Sequence, residues 1–445
     1  MGAEAHSYNL ESFAFIASLA TLVLVYVFII SEKINRAVAA LLGASLLVVM
    51  GVLSQDEAIA AVDFNTVGFL TGMMIVVGVA RKSGLFEYIA VRSSQMVKGS
   101  PAGILAALSL VTAVLSAGLD NVTTVLLIVP VTMSICGRLK VTPYPFLFAL
   151  IVASNIGGTA TLIGDPPNIL IGSATHLSFN QFIWNLAPVA VVILLAQMVL
   201  NHLIWGIRLR AHHGERAVLM ALDAGEEIKN RRMFRWSLIV IVLMLAAFAV
   251  AEIVHLKAAT IALFGGSIML LIDNIPFKAH RKQNENILGV MKEVEWITIF
   301  FFIGLFVVVG AVERSGVIAW LAEQLTHATG GDLKRTAIGV LWLSAIASAI
   351  IDNIPFVATM IPLLKDIAHN FGGHAAIDPV WWSLALGACL GGNGTLIGAS
   401  ANLVVAGMAE KAGVRFSFLK FTLLGFPMML GSVAICHFYI LWRYF

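Results

Sequence analysis

Three carboxylates stand among small and hydroxyl-bearing residues inside otherwise apolar sequence. They are Asp120 in SAGLDNVTTVLLIVP (116–130), Asp352 in SAIIDNIPFVATMIP (348–362) and Asp165 in IGGTATLIGDPPN (156–168). A carboxylate carried into a bilayer is costly and is generally kept for handling ions or protons, because it can load and release a proton during a cycle. Each acid also stands where a helix would begin, so capping a buried helix end is the competing reading, and one residue can do both. No arginine or lysine falls within these motifs, so the three acids read as unpaired, which suits a proton or cation better than a fixed anion. Amides and hydroxyls accompany them: Asn121, Thr123, Asn155, Thr159, Thr161, Asn168, Asn353, Asn393, Thr395 and Asn402 can all hydrogen-bond a small polar solute.

The first two stretches are copies of one another, 232 residues apart. A second echo pairs IGGTATLIGDPPN with LGGNGTLIGASAN (390–402), so that Thr161, Gly164 and Asn168 match Thr395, Gly398 and Asn402. A third pairs VVGVARKSGLF (76–86) with VVGAVERSGVI (308–318). Gly157, Gly158 and Gly164, followed by Pro166 and Pro167, cannot continue a helix. In a membrane an unwound stretch is tolerated only where it is buried in protein or lines a cavity, and there its free carbonyls and helix N-termini become ligands. The second copy has Ala399-Ser400-Ala401 where the first has Asp165-Pro166-Pro167, so the two halves are chemically uneven. A duplication built on interrupted helices indicates a secondary transporter with its site between the repeats.

At 59% hydrophobic and 12% charged over 445 residues, the chain is too apolar for a soluble domain. Its apolar runs are continuous over spanning length, which predicts an all-α polytopic membrane protein rather than a barrel. The expected spans are 12–30, 37–53, 64–80, a re-entrant hairpin 102–138, a broken helix 145–175 and 183–205. After a charged linker come 236–254, 258–273, 294–311, a hairpin 334–366, a broken helix 380–410 and 419–442. That makes about ten crossings in two units, 1–205 and 236–445, joined by 206–235. The run near Phe13 follows an acidic leader with no basic n-region and no cleavage pattern, so it reads as a retained span. The linker's basic excess (Arg208, Arg210, Arg216, Lys229, Arg231, Arg232 and Arg235) belongs in the cytoplasm, and with it Arg81, Lys82, Arg138, Lys278 and Lys292. Five crossings per unit invert the second copy and put both termini outside. The net charge of +3 is loop charge and gives no ground for nucleic-acid binding. Cys136, Cys389 and Cys436 are far apart, and the 11 histidines show neither metal-ligand spacing nor HExxH, so no metal site or enzymatic centre is expected.

Through DNVTTVLLIVP, SNIGGTATLIGDPPN and their later copies, nearly the whole chain resembles the ion-transporter superfamily, in the branch of ArsB-type arsenite permeases, NhaD-type sodium/proton antiporters and the P protein. The resemblance implies an inverted repeat of about ten membrane helices with two re-entrant hairpins and two broken helices, divided into a scaffold and a moving transport part. It implies binding elements at Asp120 to Thr123, Asn155 to Asn168, Asp352-Asn353 and Asn393 to Asn402. It also implies a homodimer and, in some hosts, a soluble ATPase partner. The expected function is export of arsenite or antimonite across the inner membrane in exchange for protons, carried by Asp120, Asp165 or Asp352, with no cofactor. Sodium/proton antiport and a P-protein-like anion path are the alternatives. Arsenite is an uncharged trihydroxide, so hydroxyls and amides suffice to bind it, and its uphill export needs a coupled ion because membrane voltage does no work on a neutral solute.

Overall fold

The structure is a computed structural model describing residues 12–31, 33–277 and 279–445, and among these the ordered elements are all helical. The first unit comprises α1 (Phe13–Ser31), α2 (Arg36–Val49), α3 (Gln55–Ala61), α4 (Phe64–Arg81), α5 (Leu85–Met96), α6 (Pro101–Gly118), α7 (Asn121–Leu139), α8 (Tyr144–Thr159), α9 (Pro166–Thr175) and α10 (Phe179–Asn201). The linker holds the short α11 (His213–Met220). The second unit comprises α12 (Arg231–Val250), α13 (Ala258–Asn274), α14 (His280–Met291), α15 (Trp296–Arg314), α16 (Val317–Thr329), α17 (Leu333–Ile350), α18 (Asn353–Ala368), α19 (Asp378–Gly391), α20 (Ser400–Lys411) and α21 (Phe418–Tyr444). Nine helices among the described residues are long and apolar enough to cross a membrane, and α2, α8 and α13 are shorter apolar helices.

The two units match helix for helix, and their equivalent helices run in opposite directions. Arg81, which ends α4, donates to Glu293 just before α15 at 2.6 Å, while Arg314, which ends α15, reaches Glu57 ahead of α4 at 2.7 Å. The end of each helix therefore lies beside the start of its counterpart, which is the inversion that an odd number of crossings requires.

Two packed bodies result. In the first, α4 lies on α13 and α15 on α2, contacts that exchange when the repeats are exchanged. Both are made by glycine against backbone. A Cβ on Gly72 would stand 2.4 Å from the carbonyl carbon of Ala262, and one on Gly304 2.6 Å from that of Ala40. With lipid outside, such close packing supplies the association energy that a hydrophobic effect cannot. In the second body the hairpins α6–α7 and α17–α18 clasp the broken helices α8–α9 and α19–α20. All of α8 is buried, so this body is organised around the broken helices.

Two expectations need correction. The helices α5 and α16, which follow the third echo in each repeat, were not anticipated; at 12 and 13 residues they are too short for a reading that sought spans. The second unit's first helix begins at Arg231 rather than near residue 236, because the Asn230 side chain accepts from the backbone N–H groups of Arg232 and Met233 and so starts the helix inside the charged run. Lys278 and the leader up to residue 11 lie outside the described residues, so the expectations placed on them are not addressed.

Candidate functional site

Each hairpin turns at an extended residue, Leu119 or Ile351, and the Asp-Asn pair then starts the returning helix. Asp120 accepts from the Thr123 N–H at 2.8 Å and from the Thr123 hydroxyl, and Asp352 accepts from the Ile354 N–H at 3.3 Å. Both acids cap, as helix starts in apolar surroundings demand.

Each break is fastened to its own hairpin by a repeated set of bonds. Thr161 Oγ1 donates to Ala117 O at 2.6 Å and Thr395 Oγ1 to Ala349 O at 2.5 Å. Ser116 and Ser348 donate to Ser154 O and Ala388 O at 2.7 and 2.6 Å. Asn168 Nδ2 donates to the carbonyls of Thr161 (2.8 Å) and Thr159 (3.2 Å), and Asn402 Nδ2 to those of Gly392 (2.7 Å) and Thr395 (2.8 Å). Thr159 returns its hydroxyl to Asn155 O at 2.7 Å. Thr159, Thr161 and Thr395, expected to offer hydroxyl protons to a solute, thus spend them on backbone carbonyls: Thr159 within its own helix, Thr161 and Thr395 on end carbonyls of the hairpin helices. Gly157 and Gly158 admit close backbone: a Cβ on Gly157 would lie 2.1 Å from Ala113 O, and one on Gly158 2.6 Å from Gly164 O.

Where the repeats meet, the amides of Asn121, Asn155, Asn393 and Asn402 join. Asn155 Oδ1 accepts from Asn121 Nδ2 at 3.2 Å, and Asn155 Nδ2 donates to Asn393 Oδ1 at 2.9 Å and Asn402 Oδ1 at 3.0 Å. The Nδ2 of Asn393 is buried without a hydrogen-bond partner, an amide donor free to take one. Beside this group Asn353 Nδ2 approaches the Asp165 carboxylate at 3.4 and 3.5 Å, and Cys389 Sγ contacts Asn168 Oδ1 at 3.5 Å. The helices α7 and α20 pack together, as do α9 and α18, and each of the three acids immediately precedes the N-terminus of α7, α9 or α18, where the partial positive charge of the helix lies.

The three acids differ in their partners, and one departs from expectation. Asp352 is paired: Arg36, the first residue of α2, donates from Nη1 to Asp352 Oδ2 at 2.8 Å. The same guanidinium donates to the Ser400 hydroxyl and, from Nη2, to Thr298 Oγ1 at 3.1 Å. Ser400 itself donates to Asp352 Oδ2 at 2.8 Å, and Thr298 to Glu295 Oε2 at 3.1 Å. Arg36 was missed because a basic residue just before an apolar run reads as ordinary loop charge, and its contact with Asp352 spans 316 residues. Asp165 differs from both others: it stands at the N-cap of α9 yet makes no side-chain cap, and the residue is 1% exposed. A cavity of about 290 Å³ opens beside the second tip, lined by Asn35, Arg36, Val122, Glu295, Asp352 and Ser400 among others, so solvent-accessible space reaches one hairpin acid. No group of three or more metal-ligating side chains occurs among the described residues.

Comparison with known proteins places this architecture. Residues 26–387 match the family model described as CitMHS, citrate transporter. The chain is 41% identical to the uncharacterized transporter Rv2684 of Mycobacterium tuberculosis, over 97% of this chain and 99% of that one. It is 34% identical to the P protein of Sus scrofa over 97% of this chain, which spans 60% of that longer protein. Among solved structures, the YdaH transporter of Alcanivorax borkumensis shares the fold at a TM-score of 0.62 and 13% identity, covering 97% of this chain and 98% of that one. The MtrF efflux pump of Neisseria gonorrhoeae does so at 0.52 and 14% identity, covering 97% and 94%. With the family model spanning most of its length and inverted repeats meeting at broken helices, the chain belongs to the CitMHS citrate transporter family of membrane transporters.

Proposed function

We propose that this transporter exports a small uncharged polyhydroxy solute, arsenite or its antimony analogue, across the inner membrane in exchange for protons. The observation that carries the reading is the buried amide cluster Asn121, Asn155, Asn393 and Asn402 with its unpartnered Asn393 Nδ2, in the same packed body as a buried Asp165 carboxylate that caps nothing. Neutral amides bind hydroxyl groups without demanding charge, and an acid in the same body can exchange a proton as the solute leaves. Asp120 is occupied with its cap and Asp352 with Arg36, so Asp165 is assigned the proton and the other two the helix starts. The linker is then cytoplasmic and the termini outside, as its Lys and Arg excess requires. A homodimer and an accessory soluble ATPase fit the same reading.

Arg36 favours a second reading, uptake of a carboxylate such as the citrate named by the family model, because a guanidinium lines the cavity beside the second tip. Its pairing with Asp352, and the nearby Glu295, leave no net cation there for a multiply charged anion. Radiolabelled arsenite and citrate uptake into everted vesicles under imposed pH gradients, with sodium as control, decides between them. Proton-driven arsenite accumulation is expected. Citrate flux without arsenite flux, a sodium-dependent proton flux without either solute, or anion current without saturable exchange would each replace the proposal.

A further inference from the structure

A cleft lies away from the transport site, between α5, the linker and the start of α12. It has a volume of about 780 Å³, and its walls include Arg92, Arg231 and Arg235 with Tyr88, Phe234 and Asp223. Three guanidiniums face one carboxylate. None of the three forms an ion pair among the described residues, although Arg81 and Lys229 nearby pair with Glu293 and Glu87. Clustered cations in excess of their counter-charge repel one another, so a chain that maintains them needs something to hold them in place.

Here that restraint is built into the linker. Gln95, buried under the cleft floor, donates to Leu222 O at 2.8 Å. Lys229 donates to Glu87 at 2.9 Å and Arg216 to Lys98 O at 3.1 Å. Gly84, at φ 81°, comes so near the linker that a Cβ there would lie 1.8 Å from Glu227 O. The linker is therefore docked on α5 in one conformation, and Arg231 and Arg235 project from α12 across from Arg92. Tyr88 and Phe234 meet edge to face at 5.5 Å and supply an aromatic wall. Below the cleft, α12 exposes Leu238, Ile239, Val242 and Leu243, a strip suited to acyl chains.

We propose that this cleft binds the headgroup of an anionic phospholipid of the cytoplasmic leaflet. The phosphate is held by Arg92, Arg231 and Arg235, and the acyl chains run along the exposed apolar strip of α12. The location follows from the Lys and Arg excess of this face, and the chemistry from uncompensated guanidiniums at the junction of headgroups and hydrocarbon. Because α5 packs on both helices of the first hairpin while α12 packs on α13 of the scaffold, the bound lipid would tie the hairpin's supporting helix to the scaffold.

Native mass spectrometry of the full-length protein, titrated with phosphatidylglycerol or phosphatidylcholine, tests the assignment. A retained phosphatidylglycerol is expected for the wild type, with affinity roughly 100-fold weaker in the Arg92→Gln/Arg231→Gln/Arg235→Gln variant, at about fivefold per cation. The linker variant Arg208→Gln/Arg210→Gln, which changes cations that do not line the cleft, should bind like the wild type. The Arg92→Lys/Arg231→Lys/Arg235→Lys variant keeps the charge, should lose only part of the affinity, and decides the matter if the Gln variant fails to fold. Equal phosphatidylglycerol retention by the Gln and wild-type proteins, or equal retention of phosphatidylcholine, would overturn the site. Displacement of phosphatidylglycerol by excess inorganic phosphate would overturn the lipid in favour of a soluble anion.

Discussion

Replacing Arg36 by Met leaves Asp352 at the second hairpin tip without its cation. The pair is close, 2.8 Å, and its side chains are 24% and 9% exposed, so water screens the arginine side in part. Breaking a fully buried pair by removing one partner costs about 3–5 kcal/mol, and the partial exposure of Arg36 lowers the expectation to about 2–3 kcal/mol. Arg36 lies in the first packed body and Asp352 in a hairpin of the second, so the cost should fall on a transport cycle that moves one against the other, as a loss of roughly 30- to 150-fold in rate. The companion change Asp352→Asn removes the stranded charge, and the double variant Arg36→Met/Asp352→Asn should recover most of that loss. Initial transport rates in proteoliposomes for the wild type, both single variants and the double variant close the cycle. Additivity within about 0.5 kcal/mol would mean that the two residues do not interact, and the assignment of Arg36 to the site would be wrong.

Asp165→Asn should abolish pH-driven export while leaving the thermal unfolding midpoint near wild type, since the neighbouring Asn353 can hydrogen-bond an amide as well as a carboxylate; unchanged export would reduce Asp165 to a helix start. Gly157→Ala brings a Cβ to 2.1 Å from Ala113 O, so α6 and α8 must separate by about 1 Å at an overpacking cost of about 1–3 kcal/mol, read as a lowered midpoint together with lost transport. A wild-type midpoint for that variant would show that the hairpin does not clasp α8 so tightly. Asn155→Ala removes one amide bond from each of Asn121, Asn393 and Asn402, and solute binding measured by calorimetry should fall at least tenfold, whereas intact binding would exclude the amide cluster as the solute site.

The membrane setting, the duplication, its inversion and the helix starts at the two Asp-Asn tips were legible in the chain. Apolar runs of spanning length, copied Asp-Asn and Gly-Thr-Asn motifs, and an odd count of crossings are local or periodic properties, and the bilayer leaves few ways to satisfy a backbone. The Asp-Asn pairs of both tips start helices as read, but the breaks fall at 160–165 and 392–399: Gly157, Gly158 and Asn402 stay helical because neighbouring turns carry them, and no proline lies in the second break. Partnership was not legible. That Arg36 reaches Asp352, that Asn155 gathers amides from both repeats, and that Thr161 and Thr395 turn their hydroxyls onto hairpin carbonyls depend on contacts between distant segments. A carboxylate looks the same in sequence whether it caps a helix, pairs with a cation or faces a neutral amide; only the packed repeats, by setting which donors come near it, give Asp120 its cap, Asp352 its arginine and Asp165 the Asn353 amide.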